Sequence, residues 1–167
     1  MFVYEEAWDY NSYLESDLIE YKEKQEKIYE KINFSESSIK KIHQIDTTIN
    51  LVIFAELYCP DCRALIPFVE KLRLLNSKIN ISIFPRKGNE VYLSKHSLNA
   101  SIPTILMEDL KDGKENFITI FDEFPPLIKE EFSKLNEEDK EKAIYDYRTG
   151  KRNLEIENYL VDILTKK

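Results

Sequence analysis

Hydrophobic and polar positions divide the chain into segments with different periods. Tyr10, Leu14, Leu18, Tyr21, Gln25, Ile28 and Ile32 recur near 3.6 residues, predicting a helix over 12–32 with one polar break at Gln25. Ser12 and Glu15 stand as a capping box at its start. The opposite face carries Glu20–Lys24 and Glu23–Lys27 at i,i+4, pairs worth about 0.3 kcal/mol each that support an exposed helix face. A short second helix, about 36–45, follows from Ile39, Ile42 and Ile45, with Ser35 as its cap.

From Asn50 the pattern changes. The run NLVIFAE is too short for a core helix and rich in strand formers, as a buried central strand requires. A helix then extends to about Asn76, with Leu65, Phe68, Val69, Leu72 and Leu75 inward and Pro67 kinking it. INISIF alternates as a second strand, and a short helical segment follows near 89–97. PTILMED and NFITIFDE read as a hairpin turned at Asp112-Gly113. The tail holds PPLIKEEFSKL, a charged stretch NEEDKEKAIYDY, a turn at Thr149-Gly150, and an amphipathic helix through Leu154, Tyr159, Leu160, Ile163 and Leu164. This order predicts an α/β domain at 47–167, with a mixed sheet of about four strands flanked by helices, and a helical N-terminal extension at 1–46 packed on it.

Composition narrows the chemistry. A net charge of -7 over 167 residues, with no basic stripe, argues against nucleic acid as a partner. No apolar run is long enough for a membrane span, and the acidic MFVYEEAWDY is unlike a secretory signal, so a cytoplasmic location is expected. In that reducing setting a close cysteine pair is more often catalytic or metal-binding than structural.

The only two cysteines lie in YCPDCR. Cys59 ends a strand and opens a helix, where free backbone N–H groups and the helix dipole favour a thiolate; it is the expected nucleophile, and Cys62, one turn deeper, the resolving thiol. Pro60 suits the first helical position. Asp61, a carboxylate beside the thiols, opposes thiolate formation, which predicts a reductant with a potential of roughly -290 to -230 mV rather than a strong oxidant. A metal site would need further ligands, and His43 and His96 lie at no ligand-like spacing; no metal or other cofactor is expected beyond a redox-active Cys59–Cys62 disulfide.

With Pro67 eight residues after Cys59 and Pro103, in SIPT, forty-four after it, the chain resembles the thioredoxin superfamily. YCPDCR, FPRKGN and SIPTIL are similar to a bacterial thioredoxin-like group with an aromatic residue before Cys-Gly/Pro-Asp-Cys and an N-terminal helical extension. The resemblance implies a thioredoxin-like fold, a cis Ile102–Pro103 peptide beside the disulfide, and substrate pairing with the backbone of Ile102. It also implies thiol–disulfide exchange with protein or small-thiol substrates, and a thiol or flavoprotein reductase as electron donor. A binding or adaptor protein with little turnover is the alternative.

The chain departs from the family pattern where thioredoxin's buried aspartate and lysine would align, at Ile53 and near Phe84. Glu56 either replaces that acid by turning toward Cys62 or ends the strand facing solvent. Tyr58 replaces the usual tryptophan and is expected to shield the disulfide. FDEFPP replaces a glycine-containing substrate-facing loop.

Overall fold

The computed structural model describes residues 4–109 and 116–166. The hairpin turn expected at Asp112-Gly113 lies outside the described residues. The strands are β1 (Ile49–Phe54), β2 (Ile79–Phe84), β3 (Thr104–Asp109) and β4 (Asn116–Asp122). They form one mixed sheet in the order β2-β1-β3-β4, with β1 parallel to β2 and antiparallel to β3, and β3 antiparallel to β4. Both faces of β1 are covered, which is why it reads as an unbroken apolar run: Leu51 and Ile53 enter the larger core, Val52 and Phe54 the smaller.

Eight α-helices lie among the described residues: α1 (Tyr10–Leu14), α2 (Ile19–Lys31), α3 (Glu36–His43), α4 (Pro60–Leu75), α5 (Glu90–Leu93), α6 (Pro126–Ser133), α7 (Glu137–Arg148) and α8 (Asn153–Thr165). α4 crosses from β1 to β2 and sinks Leu65, Phe68, Val69 and Leu72 into the larger core, with Pro67 inside it. Tyr13 and Leu14 of α1, Ile32, and Ile42 of α3 belong to that same core, as do Ile156, Leu160 and Leu164 of α8. Ahead of α1, Trp8 forms an isolated antiparallel bridge with Ile83 and so covers part of the outer edge of β2.

Three helical expectations are corrected. The helix expected over 12–32 is two: Asp9, not Ser12, caps α1, and the chain breaks at 15–18. Ser16 donates its hydroxyl to the Tyr13 carbonyl at 2.7 Å, and Asp17 accepts from the Leu18 N–H at 2.7 Å. Such local bonds compete with the helical ladder. Leu18, expected inward, is 57% exposed. The charged stretch after Leu135 is the helix α7, capped by Asn136, whose side chain accepts from the Asp139 N–H. In α8, Ile156 and Val161 are buried whereas Leu154 is exposed.

Candidate active site

The turn from β1 into α4 places the cysteines. Cys59 is the N-cap of α4, Pro60 its first residue, and the Cys59 Sγ accepts from the Cys62 N–H at 3.4 Å. Both thiols are free; Cys59 is 8% exposed and Cys62 fully buried. A hydrogen bond from the Cys62 thiol holds the Cys59 pKa below that of an ordinary thiol, against desolvation that raises it; the Cys62 N–H also lowers it and the Asp61 charge raises it. Burial, first, and the bond Cys62 donates to Cys59 push the Cys62 pKa well up. One thiol is therefore biased toward the thiolate and its neighbour toward the neutral form.

Across from Cys59, the Ile102–Pro103 peptide is cis, and the Ile102 carbonyl oxygen lies 3.8 Å from the Cys59 sulfur. Thr104 closes the turn by donating its hydroxyl to the Ser101 carbonyl at 2.8 Å. The Pro103 carbonyl accepts from Glu123 N–H at 2.8 Å, tying this turn to the FDEFPP loop. Glu123 sits there at φ 66°, a left-handed conformation unusual for a residue with a side chain. Desolvation raises its carboxyl pKa.

Asp61 is not the bare charge that the sequence suggested. It is held by a two-pronged ion pair with Arg148 at the end of α7, Nε to Oδ1 at 2.7 Å and Nη2 to Oδ2 at 2.8 Å. The guanidinium offsets much of the field that Asp61 would otherwise exert on Cys59. Glu56 turns away from the thiols: its Oε1 accepts from the backbone N–H of Arg86 and Lys87 at 3.0 and 3.2 Å. Ile53, where an acid could have stood, is fully buried, and Phe84 is buried too. Tyr58 is 48% exposed, a partial shield over the turn, and its carbonyl accepts from Arg63.

Four further residues belong to the site without a motif to mark them. Arg63 Nη1 donates to the carbonyls of Leu57 and Tyr58 at 2.9 and 2.7 Å, bracing the turn, while its guanidinium lies 5.1 Å from the centre of the Tyr21 ring. Arg148 lay between the charged stretch and the Thr149-Gly150 turn and offered no local signal. Tyr13 and Tyr147 are fully buried on the inner side of the dithiol. Burial pushes both phenols well above their ordinary pKa; the nearby thiols add to the shift, and for Tyr147 the Asp61 charge adds ahead of them. Tyr13 donates to Gln25 Oε1 at 3.2 Å, and Gln25 donates to the Tyr10 hydroxyl at 3.3 Å. That network is why Gln25 can be buried, and the unbroken spacing of the stripe through it was the available signal. The Tyr147 hydroxyl has no hydrogen-bond partner among the described residues.

Among those residues no cluster of three or more metal-ligating side chains occurs, and no helix is long and apolar enough to cross a membrane. A family model described as Thioredoxin matches residues 7–147. Of solved structures, the chain is similar to a protein of unknown function from Pseudomonas aeruginosa, at 17% identity and a TM-score of 0.74, with 96% of this chain and 92% of that one covered. It is similar also to an HIV epitope-scaffold, at 16% identity and a TM-score of 0.72, with 96% and 92% covered. At such identities the likeness is one of fold. No curated protein matches. Since the family match runs from the N-terminal helices through the cysteine turn and the sheet to α7, the chain belongs to the thioredoxin family.

Proposed function

We propose that the protein is a thiol–disulfide oxidoreductase that reduces protein or small-molecule disulfides through a Cys59/Cys62 cycle. One observation carries the reading: the Cys59 sulfur caps α4, accepts from the Cys62 N–H, and faces the Ile102 carbonyl. In the forward cycle the Cys59 thiolate attacks one sulfur of the substrate disulfide. A bond forms from Cys59 to that half, and the other half leaves as a thiolate and takes a proton. Cys62 loses its proton and attacks the Cys59 sulfur; the bond to the first half breaks, that half leaves as a thiol, and a Cys59–Cys62 disulfide remains. Two electrons have passed to the substrate, and a thiol or flavoprotein reductase returns them.

In this reading Ile102 and Pro103 border the groove that an extended substrate enters, by backbone pairing at Ile102. Residues 1–46 are an extension of the redox domain at 47–167, and Tyr13 backs the dithiol. A cytoplasmic location suits a dithiol that must be returned to the reduced form after each cycle. The test is insulin reduction driven by dithiothreitol. Turnover above the dithiothreitol background that disappears in Cys59→Ser supports the cycle. An adaptor with little turnover is the second reading, favoured by the apolar Ile53 and the near-complete burial of Cys59. Parent and Cys59→Ser rates both at background would establish it instead.

A further inference from the structure

Beside the dithiol lies a pocket of about 290 Å³ that the cycle above leaves unused. Three elements separated in sequence build it: α2 supplies Lys24, Lys27 and Lys31, the start of α4 supplies Pro60 and Arg63, and the end of α7 supplies Arg148. Pro60 follows Cys59 directly, so the pocket begins one residue from the reactive cysteine, although neither thiol lines it. Among the described residues no carboxylate lines it. The Glu20–Lys24 and Glu23–Lys27 pairs expected from spacing do not form, and Lys31 has no acidic partner among the described residues either. Arg148 is paired with Asp61, while Arg63 is bonded only to carbonyls and stacked on Tyr21. Five cations thus converge, one of them neutralised, on a chain whose net charge is -7.

Like charges gathered without counter-charge repel one another, and an anion placed among them removes that repulsion. We infer that this pocket recognises the anionic arm of a small disulfide substrate, so that the preferred substrates carry carboxylates near the sulfur. The inference rests on the redox reading above and adds the substrate class to it. The pocket's volume, at the lower end for ligand sites, suits one half of a small disulfide rather than a length of protein chain. In the cycle the half held there is the one that becomes joined to Cys59. The second attack, by Cys62, releases it as a free thiol, with the same electron count as before.

The overall negative charge predicts the opposite preference, which makes the test decisive. Reduced protein is mixed with dithiodipropionate, hydroxyethyl disulfide and cystamine, which carry negative, zero and positive charge. Each rate is divided by that of dithiothreitol with the same disulfide. The inference expects the anionic disulfide to lead the cationic one by roughly tenfold or more at low salt, the lead shrinking in high salt. A Lys24→Gln/Lys27→Gln/Lys31→Gln variant loses that lead, whereas a Lys78→Gln/Lys134→Gln/Lys142→Gln variant of equal charge keeps it. A cationic preference, or equal ratios in the two variants, overturns the inference while the redox reading stands. If none of the three disulfides reacts faster than with Cys59→Ser, the inference falls, and insulin reduction decides separately whether the redox reading falls with it.

Discussion

The Arg148–Asp61 pair offers the sharpest physical test of the site. Asp61 is 10% exposed at its side chain and Arg148 37%, so the carboxylate is the desolvated partner. Removing one partner of a fully buried pair costs about 3–5 kcal/mol because the other charge is stranded. With one side of this pair open to water, Arg148→Met should cost less, about 2 kcal/mol. For a chain of this length that corresponds to a fall in Tm of roughly 4–8 °C. Asp61→Asn strands only the more exposed guanidinium and should cost less again. Together the two changes leave neither charge, so the double variant should be more stable than the two single losses, added, predict. The same cycle reports on chemistry. Asp61 raises the Cys59 pKa, and Arg148 is in turn influenced by the charge on Cys59. Arg148→Met should therefore shift the pH profile of Cys59 alkylation by iodoacetamide upward, and Asp61→Asn downward. Urea titrations of the four proteins and alkylation profiles provide both readouts. Additive stabilities within about 0.5 kcal/mol, with an unmoved alkylation profile, would refute the argument.

Four further outcomes follow from the same geometry. Because the thiolate is the nucleophile and the Cys59 pKa is depressed, alkylation of Cys59 should reach half its maximal rate at a pH below that of a free thiol, while buried Cys62 stays unlabelled; mass spectrometry of the labelled site distinguishes them. Tyr147→Phe removes a hydroxyl without a partner and should leave urea stability unchanged or higher, whereas Tyr13→Phe strands the Gln25 carbonyl and should cost about 1–3 kcal/mol; equal losses would contradict the hydrogen-bond assignment. Glu123→Gly relieves a positive φ and should stabilise by up to about 1 kcal/mol. Glu123 has a raised carboxyl pKa, so the folded state holds its proton more tightly, and this group's contribution falls as pH rises from the ordinary carboxylate range through the raised value. The advantage of Glu123→Gln over the parent should accordingly be larger at neutral pH than in acid, as denaturation at both conditions will report.

Local pattern alone carried the strand and helix order from Asn50 to Asn76, the hairpin strands and the Ser35 cap, because each depends on near-neighbour periodicity and turn chemistry. The two cysteines, Pro67 and Pro103 were legible together through the resemblance to the thioredoxin superfamily, which implied a cysteine turn between strand and helix with a proline opposite. The break at 15–18 was decided locally too, but by side-chain bonds from Ser16 and Asp17 that period counting does not weigh. What tertiary structure alone decided was the electrostatics of the site. Asp61 meets Arg148 across 87 positions of sequence, and Glu56 is drawn to the amides of Arg86 and Lys87, 30 and 31 positions away. Charges act through space, and the sign of a neighbour's field at Cys59 depends on which distant side chain the fold brings within a few ångströms. Sequence spacing determined that two thiols stand at the mouth of a helix; only packing determined that two guanidiniums and three lysines gather beside that helix start.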